Sequence, residues 1–160
     1  MGKEGEQLEN NVGDPGKETF WGISRVYQPT WPGWAIIDAN GPNDTRLPAM
    51  VQDFYRTNFW NKNLLNQLTS AELAAQLFDA FINLGSESVI IWFEDLLGTE
   101  QDGVIGPDDV ATANALTDVL CFVYQFLAYR KGYYRGLAVF SVNDKTDLRG
   151  LLNRCTLANF

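Results

Sequence analysis

"TSAELAAQLFDAFINLG", residues 69–85, decides the class of fold. Leu73, Leu77, Phe78, Phe81 and Ile82 recur at three- and four-residue steps. That spacing puts them on one stripe of an α-helix and gives the helix an apolar face to bury. Thr69 and Glu72 have the spacing of a capping box, in which the hydroxyl takes a first-turn amide and the carboxylate returns to the cap amide. Gly85 follows the last apolar residues and ends the helix.

The same design extends in both directions. "SESVIIWFEDLLG", residues 86–98, predicts a second helix with Ser86 or Ser88 as cap and Gly98 as stop. "DGVIGP", residues 102–107, reads as a tight turn in which Gly103 and Gly106 take backbone angles other residues resist, and Pro107 then opens a helix over 107–116. Two more helices are predicted over 118–135 and 147–158. On the amino-terminal side, "AMVQDFYRTNFW", residues 49–60, sets Met50, Phe54, Tyr55 and Phe59 at helical spacing. Residues 1–48 are rich in Gly, Pro, Asn and Asp and predict loops and short extended pieces. The expectation is a mainly α fold of five or six helices, with a loop-rich amino-terminal region and little or no sheet. It divides into a region 1–68 and a helical region 69–160, packed as one compact unit.

Composition narrows the function. The 160 residues, 46% hydrophobic and 20% charged, suit a single globular domain with a real core. A net charge of -8 argues against a nucleic-acid partner, because phosphate neutralisation needs clustered cations. The longest apolar run, "VLCFVYQFLAY" at 119–129, is too short to insert across a membrane and reads as a buried helix. Cys121 and Cys155 are isolated thiols with no metal-ligand spacing, expected as core residues of helices. There is no histidine. That excludes Ser–His–Asp and Cys–His nucleophilic chemistry and most hydrolytic zinc sites, and leaves carboxylates to move protons.

The carboxylates concentrate in "EGEQLENNVGDPGKETFWGIS", residues 4–24. Glu4, Glu6, Glu9, Asp14, Glu18 and Thr19 form either a solvated loop or a reactive set. In the second reading, Glu4, Asp14 in a turn constrained by Gly and Pro, and Thr19 ahead of "FWGIS" serve as acid, aligner and water-holder. Cleavage of a glycosidic bond needs a protonated carboxyl to donate to the leaving oxygen and a second group on the opposite face of the sugar. An apolar wall such as Phe20 and Trp21 can raise a glutamate pKa to about 6, so that it still holds its proton near neutrality. "YQPTWPGW", residues 27–34, is either a sugar-stacking surface or the lid of the core.

The ordered motifs resemble glycoside hydrolase family 108, the lysozyme-like N-acetylmuramidases of phage endolysins and bacterial secretion-activator proteins. The family pattern E-G, loop, D-P-G-G-x-T, then G-I-T or G-I-S is matched by Glu4, Gly5, Asp14, Pro15, Gly16, Thr19, Gly22, Ile23 and Ser24. "FYRTNFW", "LFDAFINLG", "DGVIGPDDVATANAL", "YYRGL" and "GLLNR" continue the likeness along nearly the whole chain. Three features depart from the pattern. Lys17 replaces the second glycine, the polar "EQLEN" replaces an aromatic residue, and Met1, Gly2 and Lys3 stand where the family has a helix ahead of its glutamate.

The resemblance implies a muramidase that hydrolyses the β-1,4 bond between N-acetylmuramic acid and N-acetylglucosamine in peptidoglycan. Glu4 is then the general acid, with Asp14 and Thr19 positioning water. Trp21 and Trp34 would stack on sugar rings, and Tyr55, Asp79 and Asn83 would reach a cleft that has the amino-terminal region as one wall. For Asp79 and Asn83 the other reading is a buried polar pair tying helix to loop. "DGVIGP" would mark a peptidoglycan-binding domain, although locally it is also just a turn that opens a helix; Asp102, Asp108 and Asp109 do not match a calcium loop. The partner implied is the glycan strand, with no cofactor and no metal; the oligomeric state is left open. No signal-peptide pattern is present, so the expectation is a chain made in the cytoplasm and acting at the periplasm or cell wall. The alternative from another class is an inactive wall-binding or secretion-accessory domain of the same fold, and a weaker one is a purely structural helical domain.

Overall fold

The computed structural model describes residues 8–10, 18–140 and 142–157. Seven α-helices and one small sheet make up the described residues, a mainly α architecture as the helical stripes require. The chain divides into two units, Met1–Asn58 and Phe59–Phe160.

The first unit begins with β1 (Leu8–Asn10), β2 (Glu18–Phe20) and β3 (Ile23–Ser24), an antiparallel sheet in that order. Glu9 and Ser24 lie opposite Thr19 on either side, and Phe20 lies opposite Ile23. Only Trp21 and Gly22 separate β2 from β3, both at positive φ (48° and 79°), as the tight hairpin turns that match strand twist demand. Helix α1 (Gly33–Asn40) follows, in a stretch whose composition reads as loop. Helix α2 (Leu47–Tyr55) carries Pro48 in its first turn, where a missing amide hydrogen has no intrahelical partner to lose. Phe20, Ile23, Trp31, Trp34, Ile37, Leu47 and Val51 form the core of this unit. The helix predicted to run on to Phe59 instead widens after Tyr55 into a π-helical turn, Arg56–Asn61.

The second unit holds a 3-10 turn (Leu65–Gln67), α3 (Ala71–Leu84), α4 (Ser86–Leu97), α5 (Pro107–Asn114), α6 (Val119–Phe140) and α7 (Val142–Asn153). Its core draws Leu73, Leu77 and Phe81 from α3, Val89, Ile90 and Phe93 from α4, and Phe122, Val123, Phe126 and Leu127 from α6. Ile82, at the edge of the predicted stripe, stays exposed.

Several helix ends differ from the sequence reading. The cap of α3 is Ser70, whose side chain accepts from the Leu73 amide, and not Thr69. Thr69 is held elsewhere, its amide and hydroxyl both meeting Asn114 Oδ1. Glu72 accepts from Gln76 Nε2 at 2.9 Å, and the same amide nitrogen reaches the Thr156 carbonyl at 2.7 Å. Helix α4 starts directly after Gly85 with no side-chain cap, so neither Ser86 nor Ser88 serves, while Gly98 ends it as expected. Gly106 has φ -101°, ordinary extended backbone, so of the two turn glycines only Gly103, at φ 76°, needs the left-handed region. Cys155 is buried but Cys121 is exposed, because it sits in the first turn of α6 with its amide donated to Asp118. No helix among the described residues is long and apolar enough to cross a membrane.

Candidate active site

Of the three residues proposed to act on a glycosidic bond, Glu4 and Asp14 lie outside the described residues. Thr19 is half-buried on the central strand of the sheet, between Glu9 and Ser24. Phe20 points into the core, so the pleat turns Thr19 to the opposite face of the strand.

The hairpin is fixed by a circuit of aromatic side chains. Phe20 meets Trp21 at 6.3 Å between ring centroids and stacks on Trp31 at 6.1 Å. Trp31 meets Phe54 edge to face at 6.4 Å, and Phe54 meets Tyr55 in the same way at 5.3 Å. The Tyr55 hydroxyl closes the circuit by donating to the Trp21 carbonyl at 2.7 Å. Burial pushes the Tyr55 phenol above its ordinary pKa, so it stays a donor. Gly22 makes this approach possible, since a β-carbon there would stand 2.6 Å from the Tyr55 oxygen.

Trp34 is built into the core at 4% exposure. Its Nε1 donates to the Gln28 carbonyl at 2.8 Å, Trp31 meets it nearly perpendicularly at 5.2 Å, and the Arg25 guanidinium lies 4.5 Å from the ring centroid. Of the "YQPTWPGW" aromatics, Trp31 and Trp34 therefore form core and Tyr27 is exposed. Arg25 also pairs with Glu18 of β2 at 2.8 Å and Asp38 of α1 at 2.7 Å, joining sheet to helix. Sequence reasoning missed this residue.

Trp21 lines a hollow of about 380 Å³ together with Phe20, Pro42, Asn43, Thr45 and Pro48. Asp44 completes its wall. The Arg46 guanidinium hydrogen-bonds the Asp44 carboxylate and holds it well below the usual carboxylate range, with Asn40 adding a third contact at 3.1 Å. The Asp44 carboxylate is therefore ionised across the neutral range, with its charge matched by Arg46.

Asp79 and Asn83 belong to the second unit and to one helix, α3. Asn83 Nδ2 donates to the Asp79 carbonyl at 2.6 Å and to its carboxylate at 3.1 Å. Asp79 in turn pairs with the fully buried Arg130 of α6, and Arg154 approaches at 3.7 Å. Asp79, which is only partly buried, thus ties α3 to α6, while the exposed Asn83 bonds to Asp79 within α3. Burial alone would lower the Arg130 pKa, but hydrogen bonds with Tyr134 and Asp79 outweigh it and the net shift is upward. Arg130 was legible as an anomaly: it stands four residues from both Phe126 and Tyr134, in the middle of an apolar stripe. Glu94, one residue after Phe93 and fully buried, is a second case.

Among the described residues, no group of three or more His, Cys, Asp or Glu side chains is placed to hold a metal ion. Residues 1–85 match the family described as Glycosyl hydrolase 108. The structure titled "Structure of Brucella abortus SagA" is similar to this one, with a TM-score of 0.65 and 23% sequence identity, over 92% of this chain and 84% of that one. That likeness extends the shared fold well beyond the family match. Comparison with curated proteins gives no match.

Proposed function

This chain belongs to the glycosyl hydrolase 108 family, and from that premise we propose that it is a muramidase, hydrolysing the β-1,4 bond between N-acetylmuramic acid and N-acetylglucosamine in peptidoglycan. In this reading the Glu4 carboxyl donates its proton to the glycosidic oxygen as the bond to the anomeric carbon breaks. Asp14 and the Thr19 hydroxyl hold the water that adds to that carbon, and the Asp14 carboxylate takes the proton this water gives up. Trp21, at the tip of the hairpin and beside the hollow it lines, offers its ring to a sugar. The second unit grips the wall, and there Asp79 and Asn83 keep helices in place. The site of action is the periplasm or the cell wall.

The observation that carries this reading is the span of the family match, residues 1–85. It takes in the whole of 4–24 together with α2 and α3. The chemistry also suits a chain without histidine, since two carboxylates and a hydroxyl suffice for it.

The test is direct. Wild-type protein should lower the turbidity of a peptidoglycan suspension and release reducing ends. Glu4→Gln should abolish release and leave sedimentation with the wall unchanged. Binding by the wild type with no new reducing ends would refute the hydrolase and leave a wall-binding domain.

A further inference from the structure

We propose that a hollow of about 450 Å³ in the first unit, lined by α2 and residues 28–32, is a saccharide subsite that takes an N-acetylglucosamine ring, with Asp53 as the residue that selects it. This rests on the chain acting on a glycan and adds a site and a specificity to that reading.

The volume lies in the range of small-molecule sites, about 300–1,000 Å³. Asp53 and Phe54 each lie three or four residues from both Met50 and Thr57, so one face of the helical segment supplies most of one wall. Trp31 lies against that face, meeting Phe54 edge to face. Gly33 packs against the Trp31 indole so closely that a β-carbon would stand 2.2 Å from the ring, which fixes where the indole sits. The floor is therefore apolar and rigid.

The rim is polar. Thr30, Thr57 and Asn58 line it, and the π-helical turn beginning at Arg56 brings the last two to the lip. Such turns are found frequently at functional sites. Asn58 Nδ2 donates back to the Phe54 carbonyl at 2.8 Å, which holds the side chain in place.

Asp53 differs from three of the other carboxylates described in this unit. Glu18 and Asp38 pair with Arg25, and Asp44 pairs with Arg46. The exposed Asp53 carboxylate has no side-chain partner among the described residues. An unpaired carboxylate beside aromatic edges can accept hydrogen bonds from sugar hydroxyls and from an acetamido N–H, while the acetamido methyl rests on Trp31, Phe54 and Met50. The same charge repels a ring bearing a lactyl carboxylate. The hollow therefore prefers N-acetylglucosamine to its lactyl ether, N-acetylmuramic acid.

The experiment is a titration of full-length Glu4→Gln protein, followed by amide and indole NMR signals. The N-acetylglucosamine trimer should shift the Trp31 indole and the Thr57 and Asn58 amides, and cellotriose, which lacks the acetamido group, should not. Asp53→Ala should weaken trimer binding about tenfold or more, the effect of one lost charge-assisted hydrogen bond. Asp53→Asn should let free N-acetylmuramic acid, whose lactyl carboxylate is ionised, shift the same signals. Unchanged trimer affinity in Asp53→Ala, equal response to cellotriose, or shifts confined to other residues would each overturn the assignment. Reducing-end release by the wild type reports on the hydrolase separately, so failure of one reading is told from failure of the other.

Discussion

Tyr55, the last residue of α2, donates its hydroxyl to the carbonyl of Trp21 at 2.7 Å, across 34 positions of sequence. This bond ties the helix to the tip of the β2–β3 hairpin. It also stabilises an aromatic residue at φ 48°, a region where crowding of the β-carbon costs about 1–2 kcal/mol.

Tyr55→Phe keeps the ring contacts with Phe54 and removes only the donor. A partly buried carbonyl is left without it, at a cost of about 1–2 kcal/mol. The thermal midpoint should fall by about 2–8 °C. Peptidoglycan hydrolysis should fall by more than stability accounts for, because the strand that carries Thr19 leads into this turn. An unchanged melting curve would show that the bond carries no net energy.

Gly22→Ala meets the same oxygen from the other side. Its β-carbon would lie 2.6 Å from the Tyr55 hydroxyl, on a backbone at φ 79°. The expected cost is about 2–3 kcal/mol, combining backbone strain and a displaced hydrogen bond. In the Tyr55→Phe background the clash is gone, so the double variant should be less destabilised than the sum of the singles by about 1 kcal/mol. Additive urea midpoints would mean that the two residues are not coupled.

Fold class was legible because the stripes of α3 and α4 repeat at helical spacing and end at glycines. Helix α1 was not, since its Gly33, Trp34 and Asn40 are weak helix formers and it forms by burying Trp34 and Ile37. Thr69 and Ser70 are equivalent caps by type, and only the tertiary contact of Thr69 with Asn114 decides between them. In the candidate site, the sequence marked Thr19, Trp21 and Tyr55 but could not tell that the last two bond to each other. It offered Trp34 as a stacking ring, whereas burial among Trp31 and Arg25 makes it a core residue. Asp53 carried no sequence signal, because its interest lies in having no partner.

Asp79 and Arg130 give an asymmetric prediction. Arg130 is fully buried, and its Nε and Nη1 have no hydrogen-bond partner among the described residues. Asp79→Ala strands that charge and should cost about 3–5 kcal/mol, reduced to the extent that Asp79, at 39% exposure, was already screened by solvent. Arg130→Met removes the charge and fills similar space, and should cost less. Denaturant midpoints in the reverse order would show that packing of the arginine stem outweighs its charge.

Glu94 makes stability depend on pH. Its side chain is fully buried; Oε2 accepts the Gly103 amide at 3.0 Å, and Oε1 has no partner among the described residues. Burial raises its pKa above the ordinary 4.5, the Gly103 amide opposes this, and Asp102 and Asp109 push it further up. The folded chain therefore holds this proton over a range in which the unfolded chain has released it. The contribution of the group is fully present below pH 4.5 and is lost as pH rises through the higher folded value. Glu94→Gln can keep an acceptor for Gly103 and supplies a neutral donor toward Asp102, so it should be insensitive to that rise. Thermal midpoints recorded from pH 4 to 8 should coincide at the acid end and diverge above it. By neutrality the variant should be ahead, by the proton linkage that Glu94 loses. Parallel curves would show that Glu94 ionises as readily in the folded chain as in the unfolded one.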